Sequence, residues 1–395
     1  KLRELMYAGY IIYDHTLHFY YLGGPDFIVG PDAPPEKRNI LGVIEKAGLD
    51  IAKEVIKHRA YGQKITEILG GKATHPVCGL PGGISKPLSE ENRQEIEKMA
   101  ASSVEFAKLS LKLFHDIVLG NSAYVDMIKS DAYTMKTYYM GLVDDKNKVN
   151  FYDGKIRVAD PDGREFLKFE PKDYLQHIGE HVEQWTYSKF PFLKKVGWKG
   201  LVYGADSGIY RVGPLGRLNA ADGMATPLAQ AEYELMYKTL GGKPVHGTLA
   251  FHWARLIELL YAAERALELA KDPEITSTNI RNKPSEPGEG VGVVEAARGT
   301  LYHHYVLDKD ALIKDVNLIV ATTNNYPAIC ISIRDAAKGL ICNGKVDQGV
   351  LNKVEMAFRA YDPCFACATH YAIGQMPLTI DVYNHKKEII RTITR

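Results

Sequence analysis

The sequence predicts a mainly α-helical fold of the α+β class, with a helical core and a small β insertion. Apolar residues recur three and four positions apart along 38–58, 88–118 and 226–271, which is the spacing of one face of an α-helix. Strand-like alternation is confined to shorter stretches near 148–170 and at the end of the chain. We therefore expect long antiparallel helices over 88–118 and 226–271 in the core.

The starts of two predicted helices carry recognisable signals. Ser89 followed by two glutamates is typical of an N-cap with acidic residues in the first turn. Thr226-Pro227 places proline at the first helical position. Between 249 and 267 the apolar residues form a stripe broad enough to pack on more than one side.

The predicted strands form a β-meander and a terminal hairpin. Residues 148–158 and 164–169 alternate around turn residues rich in Asp, Gly and Pro, which indicates a meander inserted between helices. The short apolar run 316–320 predicts a further strand. Residues 379–383 and 388–394 alternate around a polar turn, and we expect them to pair as a C-terminal hairpin.

Composition limits the class of protein. The 395 residues carry a net charge of +1 with acids and bases well mixed, so the sequence has no electrostatic footprint for nucleic acid. The longest apolar stretches, around 256–263, fall short of a membrane span. Five cysteines are too few for a disulfide scaffold, which favours a reducing, cytoplasmic location. No linker longer than 282–292 and no repeat divides the chain, so we expect one mostly helical body.

The segment from Asp362 to His370 is the most informative motif, because it combines two of the five cysteines with a carboxylate and a histidine. Asp362-Pro363 suits the N-cap and first position of a helix. Cys364 and Cys367 would then lie near its first turn, where backbone amides stabilise thiolates. Both sulfurs could reach one soft metal ion, such as nickel, zinc or iron. A lone redox pair and half of a structural zinc site are the alternatives.

Several further segments match one family in the same order along the chain. Together with the Asp-Pro-Cys-x-x-Cys-x-x-His motif, they make the sequence resemble the large subunit of nickel-iron hydrogenases. A bare Cys-x-x-Cys is weak evidence, whereas this ordered set is strong. The segments are Asp14-His15-Thr16-Leu17-His18-Phe19-Tyr20, His75-Pro76 with Pro81-Gly82-Gly83, Tyr210-Arg211-Val212-Gly213-Pro214-Leu215, Glu295-Ala296-Ala297-Arg298-Gly299-Thr300-Leu301 and Ala321-Thr322-Thr323-Asn324-Asn325.

The resemblance implies the large-subunit fold and the reversible heterolytic oxidation of dihydrogen. Tyr302-His303-His304 and the segment 374–378 are most similar to the soluble, bidirectional branch, which passes electrons to nicotinamide, a deazaflavin or heterodisulfide-linked partners. An iron-sulfur small subunit is an expected partner, since five cysteines leave this chain without clusters of its own. Further electron-transfer subunits would follow it. We expect part of the contact near Asp14, His18 and the 75–83 loop.

The cofactor implied by the resemblance is a nickel-iron centre. Four cysteine thiolates would hold nickel, and two of them would bridge to an iron that carries carbon monoxide and cyanide. On that pattern Cys364 is a terminal nickel ligand and Cys367 a bridging one. The family takes the other pair from an Arg-x-Cys-x-x-Cys motif, which this sequence lacks. Its usual place would lie upstream of Lys1, and the chain is expected to begin inside a longer polypeptide.

The resemblance also assigns roles around this centre. Arg298 resembles an arginine suspended over the metals, where its guanidinium can hold a cyanide and polarise the bound gas without titrating. Asp14 and Asp362 resemble the carboxylates that anchor this arginine and shape the local proton network. Outside the family, Arg298 would be an ordinary ion pair and each aspartate a helix cap.

Three further residues complete the implied site. Thr322 resembles a hydroxyl residue that hydrogen-bonds the other cyanide, and Leu301 would form part of a dry wall beside the diatomic ligands. His370 resembles the histidine that ends the mature chain and joins a possible magnesium site. Structural or packing roles are the alternatives for Thr322 and His370. Ala297 stands where the family commonly has proline, which removes that stiffening of the backbone before Arg298.

The end of the chain implies an immature protein. Family members are usually cut after the motif histidine once nickel is in place, with the help of a maturation chaperone and an endopeptidase. This chain continues from Tyr371 to Arg395, so 1–370 is the expected hydrogenase domain and 371–395 a removable extension. Two other classes remain open: a metal-free, hydrogenase-like structural subunit of a redox complex, and a zinc-binding structural protein. Retention of Cys364, Cys367 and Arg298 argues against the metal-free class.

Overall fold

The computed structural model describes residues 1–343, 346–367, 379–384, 386 and 388–394. Its α-helices, numbered in chain order, are α1 (Leu2–Leu17), α2 (Pro25–Ile28), α3 (Ile40–Ala47), α4 (Leu49–Gly70), α5 (Glu90–Phe114), α6 (Ser122–Lys129), α7 (Tyr174–His177), α8 (Gly213–Ala220), α9 (Pro227–Leu240), α10 (Phe251–Lys271), α11 (Tyr326–Leu340) and α12 (Gln348–Arg359). The strands are β1 (Gly79–Leu80), β2 (Gly83–Ile84), β3 (Tyr138–Val143), β4 (Lys155–Ala159), β5 (Glu165–Phe169), β6 (Ile178–Val182), β7 (Lys189–Leu193), β8 (Tyr210–Arg211), β9 (Glu289–Ala296), β10 (Gly299–Leu307), β11 (Ile313–Ile319), β12 (Thr379–Tyr383) and β13 (Ile389–Thr394).

Four long helices form the core. Helix α1 packs against α4 and α10, and α10 packs against α5. Near one end of the α5 and α10 pair, Arg93 Nη1 donates to the Ala270 carbonyl at 2.9 Å. Near the other end, the rings of Phe114 and Trp253 lie 5.6 Å apart. These contacts confirm the predicted antiparallel arrangement. Every residue from 251 to 263 is buried, so this part of α10 is covered on all sides.

Glycines divide two of the predicted helices. The segment 226–271 forms α9 and α10, because Gly241 ends α9 in the left-handed region with a φ of 99°. The segment 38–58 likewise breaks at Gly48, where φ is 91°. In the third segment the predicted cap is confirmed, since Ser89 Oγ accepts a hydrogen bond from Asn92 N at 3.2 Å. Helix α5 continues as a π-helical turn, His115–Leu119.

The β insertion is a mixed sheet with the strand order β5-β4-β3-β8. The predicted strands near 155–158 and 164–169 are confirmed as β4 and β5. The predicted start of the meander at residue 148 was wrong, because its first strand is β3. Every residue of β3 is buried. A strand buried on both faces shows no polar and apolar alternation, which explains why the sequence pattern missed it.

A second sheet, β11-β10-β9, carries the hairpin turn that contains Arg298. The sequence predicted only part of it, as the apolar run that falls in β11. The expected C-terminal hairpin is confirmed, since β12 and β13 pair antiparallel with Thr379 opposite Thr394. No helix in the described ranges is long and apolar enough to cross a lipid bilayer.

A buried ion cluster joins the helical core to this second sheet. Glu258 accepts from Arg217 Nε and Nη2, both at 2.6 Å, and Glu295 accepts from Arg217 Nη1 at 2.8 Å. All three side chains are fully buried. His15 Nε2 lies 2.9 Å from Glu258 Oε2. Burial alone would raise the pKa of Glu258, but Arg217 and His15 hold it below its ordinary value. The cluster therefore ties α1, α8, α10 and β9 to one another.

Replacing Glu258 with Gln should lower the free energy of unfolding by about 3–5 kcal/mol, because Arg217 would keep its charge and lose its bidentate acceptor. Urea denaturation would measure the change. The matched control is Glu105→Gln, which removes a carboxylate that is 71% exposed and pairs with Lys108. The control should cost less than about 1 kcal/mol. Similar losses in the two variants would contradict the importance of the cluster.

Candidate metal centre

Arg298 lies between two aspartates that come from distant parts of the chain. Its Nη1 donates to Asp14 Oδ2 at 3.3 Å, and its Nη2 donates to Asp362 Oδ1 at 3.2 Å. Asp14 belongs to α1, Arg298 to the β9–β10 turn, and Asp362 follows α12. The structure thus brings together three of the residues singled out from the sequence, in the arrangement that the resemblance implies.

The turn that presents Arg298 is fixed by its neighbours. Arg217 Nη1 donates to the Ala296 carbonyl at 2.7 Å, and Arg217 Nη2 to the Ala297 carbonyl at 3.3 Å. Gly299 adopts a φ of 142°, and a Cβ there would lie 2.2 Å from Val212 Cγ2. These contacts stiffen the backbone on both sides of Arg298, although Ala297 takes the place of the family's proline.

The backbone that leads into Asp362 is held by three side chains. His18 Nε2 lies 2.8 Å from the Arg359 carbonyl, and Arg255 Nη2 donates to the Ala360 carbonyl at 3.0 Å. The hydroxyls of Ser332 and Tyr361 are 2.9 Å apart. These contacts come from the π-helical turn that follows α1, from α10 and from α11, so the end of α12 has little freedom.

Asp362 does not act as the predicted helix cap. Its φ is 56°, in the left-handed region, and the residues after it form turns as far as Cys367. Its carboxylate binds Arg298 instead of the amides of a following helix turn. Burial raises the pKa of the Asp362 carboxyl, while the charge of Arg298 opposes that rise.

Cys364 and Cys367 follow directly, and the structure joins them as a disulfide with their Cα atoms 5.4 Å apart. The two sulfurs therefore meet at one point, where thiolates could both reach a single metal ion. The amide of Cys364 donates to Thr322 Oγ1 at 3.2 Å, which places that buried hydroxyl beside the cysteines. Leu301 is half-buried in β10, opposite Val294 of β9. His370 lies outside the described residues.

The donor set on this chain is incomplete for a metal with four thiolate ligands. Within 1–343, 346–367 and the described part of the hairpin, no group of three or more His, Cys, Asp or Glu side chains is arranged to hold a metal ion. Cys78 is buried, and its sulfur lies 3.7 Å from Met6 Sδ. The sulfurs of Cys364 and Cys367 fit half of a nickel-iron site.

Several buried polar atoms around the pair of aspartates have no hydrogen-bond partner among the described residues, which is uncommon in a protein interior. The rings of His18 and His252 stack 5.7 Å apart, and both pKa values lie well below the ordinary range because of burial and the charge of Arg255. Burial also lowers the pKa of Arg255 to about 10. The unpartnered atoms of this cluster are Asp14 Oδ1, His15 Nδ1, His18 Nδ1, His252 Nδ1 and Nε2, Arg255 Nε and Nη1, Arg298 Nε and Asp362 Oδ2.

The sequence analysis missed the buried charged and histidine residues that contact the backbone and side chains of the site. Arg217, His252, Arg255 and Glu258 were given no role, and Glu295 was read only as part of a motif. A signal was present in α10, where an arginine and a glutamate interrupt an apolar stripe predicted to pack on more than one side. A charged residue inside such a stripe must meet a buried partner.

Known proteins resemble this chain over most of its length. The sequence model of the family described as nickel-dependent hydrogenase matches residues 53–370. An iron-sulfur subunit of an F420-non-reducing hydrogenase from Archaeoglobus profundus is 47% identical over 100% of this chain and 81% of its own length. The beta subunit of the NAD-reducing hydrogenase HoxS from Cupriavidus necator is 37% identical over 99% of this chain and 79% of its own length.

The fold has the same relatives. The crystal structure of an NAD+-reducing [NiFe]-hydrogenase in the H2-reduced state superimposes with a TM-score of 0.87. It shares 34% sequence identity, and the match covers 93% of this chain and 79% of that chain. The fold and the family that the sequence motifs implied are therefore confirmed. The chain belongs to the nickel-dependent hydrogenase family, as a large, catalytic subunit of an oxidoreductase.

Proposed function

We propose that this subunit oxidises dihydrogen reversibly in the soluble, bidirectional branch of the family, with Arg298, Asp14 and Asp362 at its catalytic centre. The observation that carries the proposal is the Arg298 guanidinium, held at 3.3 and 3.2 Å between two carboxylates, with Cys364 two residues beyond one of them. Relatives that reduce NAD and relatives that do not reduce F420 both match nearly the whole chain, which supports this branch.

In this proposal Cys364 and Cys367 would hold the nickel of a nickel-iron centre through their thiolates. The centre would supply the acceptor for the electron pair released when dihydrogen splits. His370, which lies outside the described residues, would join a magnesium site close to the centre.

Arg298 orients and polarises what binds beside the sulfurs. A guanidinium stays charged at every ordinary pH, so it can donate hydrogen bonds without taking part in proton exchange. Asp14 and Asp362 fix its plane, because each accepts from a different terminal nitrogen. Asp14 Oδ1 and Asp362 Oδ2 accept no hydrogen bond from the described part of the chain. In this proposal they are acceptors for the local proton network. A donor held rigidly in a buried site stabilises developing charge more strongly than water does.

Thr322 and Leu301 would complete the pocket for the diatomic ligands. Thr322 Oγ1 already accepts from the Cys364 amide at 3.2 Å, which leaves its O–H free to donate to a cyanide nitrogen. Leu301 is half-buried and lies in β10, the strand that begins directly after Arg298. Its side chain would help to keep water from this side of the pocket.

Electrons would leave through an iron-sulfur small subunit and further electron-transfer subunits. The matched relatives are named as subunits of larger hydrogenases, which supports this assembly. We place part of the contact near Asp14, His18 and the 75–83 loop. The acceptor class would be a nicotinamide, a deazaflavin or a heterodisulfide-linked partner, in the cytoplasm.

Maturation would remove the extension 371–395. The β12–β13 hairpin is held by pairing between its own strands, so it can form and leave as a local unit. A maturation chaperone would assist nickel insertion, and an endopeptidase would then cut after His370. The mature domain would be 1–370.

Replacing Arg298 with Lys in the complete enzyme should lower hydrogen-oxidation turnover by about 100- to 1000-fold while nickel stays bound. Lysine offers one point charge on a flexible stem and cannot engage Asp14 and Asp362 with a planar fork. Turnover and nickel content would be measured on the same preparation. The control is Arg157→Lys, a similarly buried arginine in the β insertion that pairs with Glu165 and Asp222. Near-normal turnover in the Arg298 variant would remove it from the mechanism.

Metal analysis of the matured, complete protein should find nickel together with iron. Elemental analysis by mass spectrometry would separate this proposal from the two other classes. Protein without metal would indicate a structural subunit of a redox complex. Zinc alone would indicate that the Cys364 and Cys367 pair serves a structural site.

A chain that still ends at Arg395 should lack a stoichiometric nickel-iron centre. In the proposed centre His370 would join the metal site, and an extension that continues from it would keep the site open. Intact-mass and metal analysis of one sample would test this. Stoichiometric nickel in the uncut chain would show that the extension is a permanent part of a working enzyme.

A further inference from the structure

Arg255 is a second guanidinium beside the metal centre. It lies in the part of α10 that is buried on all sides, and its own exposure is 0%. Its Nη2 donates to the Ala360 carbonyl at 3.0 Å. Ala360 precedes Asp362 by two residues and Cys364 by four. Arg255 thus touches the backbone from which the site's carboxylate and first sulfur project.

The charges around Arg255 single out Asp362 as its carboxylate partner. Burial lowers the pKa of Arg255, and the charges of Asp362, Glu258 and Asp14, in that order, oppose the decrease. Glu258 is already engaged elsewhere, because it accepts twice from Arg217 and lies 2.9 Å from His15. Asp362 therefore faces two guanidiniums, Arg298 through a direct hydrogen bond and Arg255 through space.

The hydrogen-bonding groups that remain are complementary. Within the described part of the chain, Arg255 Nε and Nη1 are donors without an acceptor, and Asp362 Oδ2 and Asp14 Oδ1 are acceptors without a donor. A buried donor or acceptor without a partner costs about 1–3 kcal/mol. Internal waters typically make about three hydrogen bonds to such groups in protein interiors. A buried cluster that contains both donors and acceptors without partners is therefore a typical binding site for an internal water.

We propose that Arg255 is a positioning residue of the metal centre, which fixes Asp362 through the Ala360 carbonyl and through a bound water shared with Asp362 and Asp14. Asp362 needs this support because its backbone has a φ of 56°, a conformation that non-glycine residues adopt at a cost. Once Asp362 is fixed, Cys364 is placed for its hydrogen bond to Thr322. The effect on the order of the loop concerns the polypeptide alone, whereas the effect on turnover rests on the proposed function, so a failure of one can be distinguished from a failure of the other.

Amide hydrogen exchange on the reduced, metal-free chain would test this role. The amides of Tyr361, Asp362 and Cys364 each have a hydrogen-bond acceptor, so their protection reports on the order of this loop. In Arg255→Gln these three amides should exchange about tenfold faster, while amides in the middle of α5 keep their wild-type rates. In Arg255→Lys, which can still donate to Ala360, the acceleration should be smaller.

The matched control is Arg157→Gln. Arg157 is also buried, pairs with carboxylates and donates to a main-chain carbonyl, that of Ala220 at 3.0 Å, but it lies in the β insertion. Its replacement should leave the exchange of 361–364 unchanged. Wild-type exchange at 361–364 in both Arg255 variants would overturn the proposal. If Arg255→Gln unfolds, the Lys variant decides: acceleration confined to 361–364 supports positioning, and uniform acceleration along the chain overturns it.

A high-resolution crystal structure of the wild-type chain would test the bound water. We expect a water within hydrogen-bond distance of Arg255 Nη1 and Asp362 Oδ2. A side chain from 368–378 in that place, or direct contact between the two residues, would overturn the water-mediated part of the proposal. In the complete enzyme, Arg255→Lys should lower kcat and leave KM for dihydrogen nearly unchanged, because the residue orients Asp362 and does not touch the substrate.

Discussion

The burial of one permanent charge, on Arg217, is the constraint on which the site depends. A guanidinium cannot shed its proton at ordinary pH, so a fully buried one requires acceptors in fixed places. Glu258 and Glu295 supply some of them, and the two carbonyls before Arg298 supply the rest. The same arginine that joins the helical core to the sheet therefore also sets the backbone from which Arg298 projects. The hydrogen bonds of Arg217 therefore determine both the position of Arg298 and the stability of the structure around it.

Much of the fold could be predicted from the sequence, and the errors of that prediction have physical causes. Apolar spacing identified the helix over 88–118, and the Ser89 cap is present as expected. Spacing alone did not show that Gly241 breaks the segment 226–271, because the apolar pattern resumes beyond it. The strand β3 was missed for a different reason. With both faces buried it loses the alternation by which strands are recognised.

The site residues that belong to a sequence motif could be predicted. The residues whose role depends on a partner distant in the sequence could not. Arg298 and its two aspartates follow from the order of the motifs, and the structure brings them together. Asp362 was expected to cap a helix, yet a nearby guanidinium competes for its carboxylate more strongly than backbone amides do. Arg255 and Glu258 were visible as charges in an apolar stripe. Their partners lie elsewhere in the chain, and one-dimensional spacing does not reveal them.

The charges of the ionised side chains described around Arg298 do not balance, and this imbalance favours the uptake of a proton. The described cluster contains four carboxylates (Asp14, Glu258, Glu295 and Asp362) and three guanidiniums (Arg217, Arg255 and Arg298). When all are charged, one negative charge remains uncompensated in a region of low dielectric constant, where its field is weakly screened. A carboxylate in that position takes up a proton more readily than one in water, which agrees with the raised pKa of the Asp362 carboxyl. The excess charge therefore makes this cluster a place where the protein can store a proton.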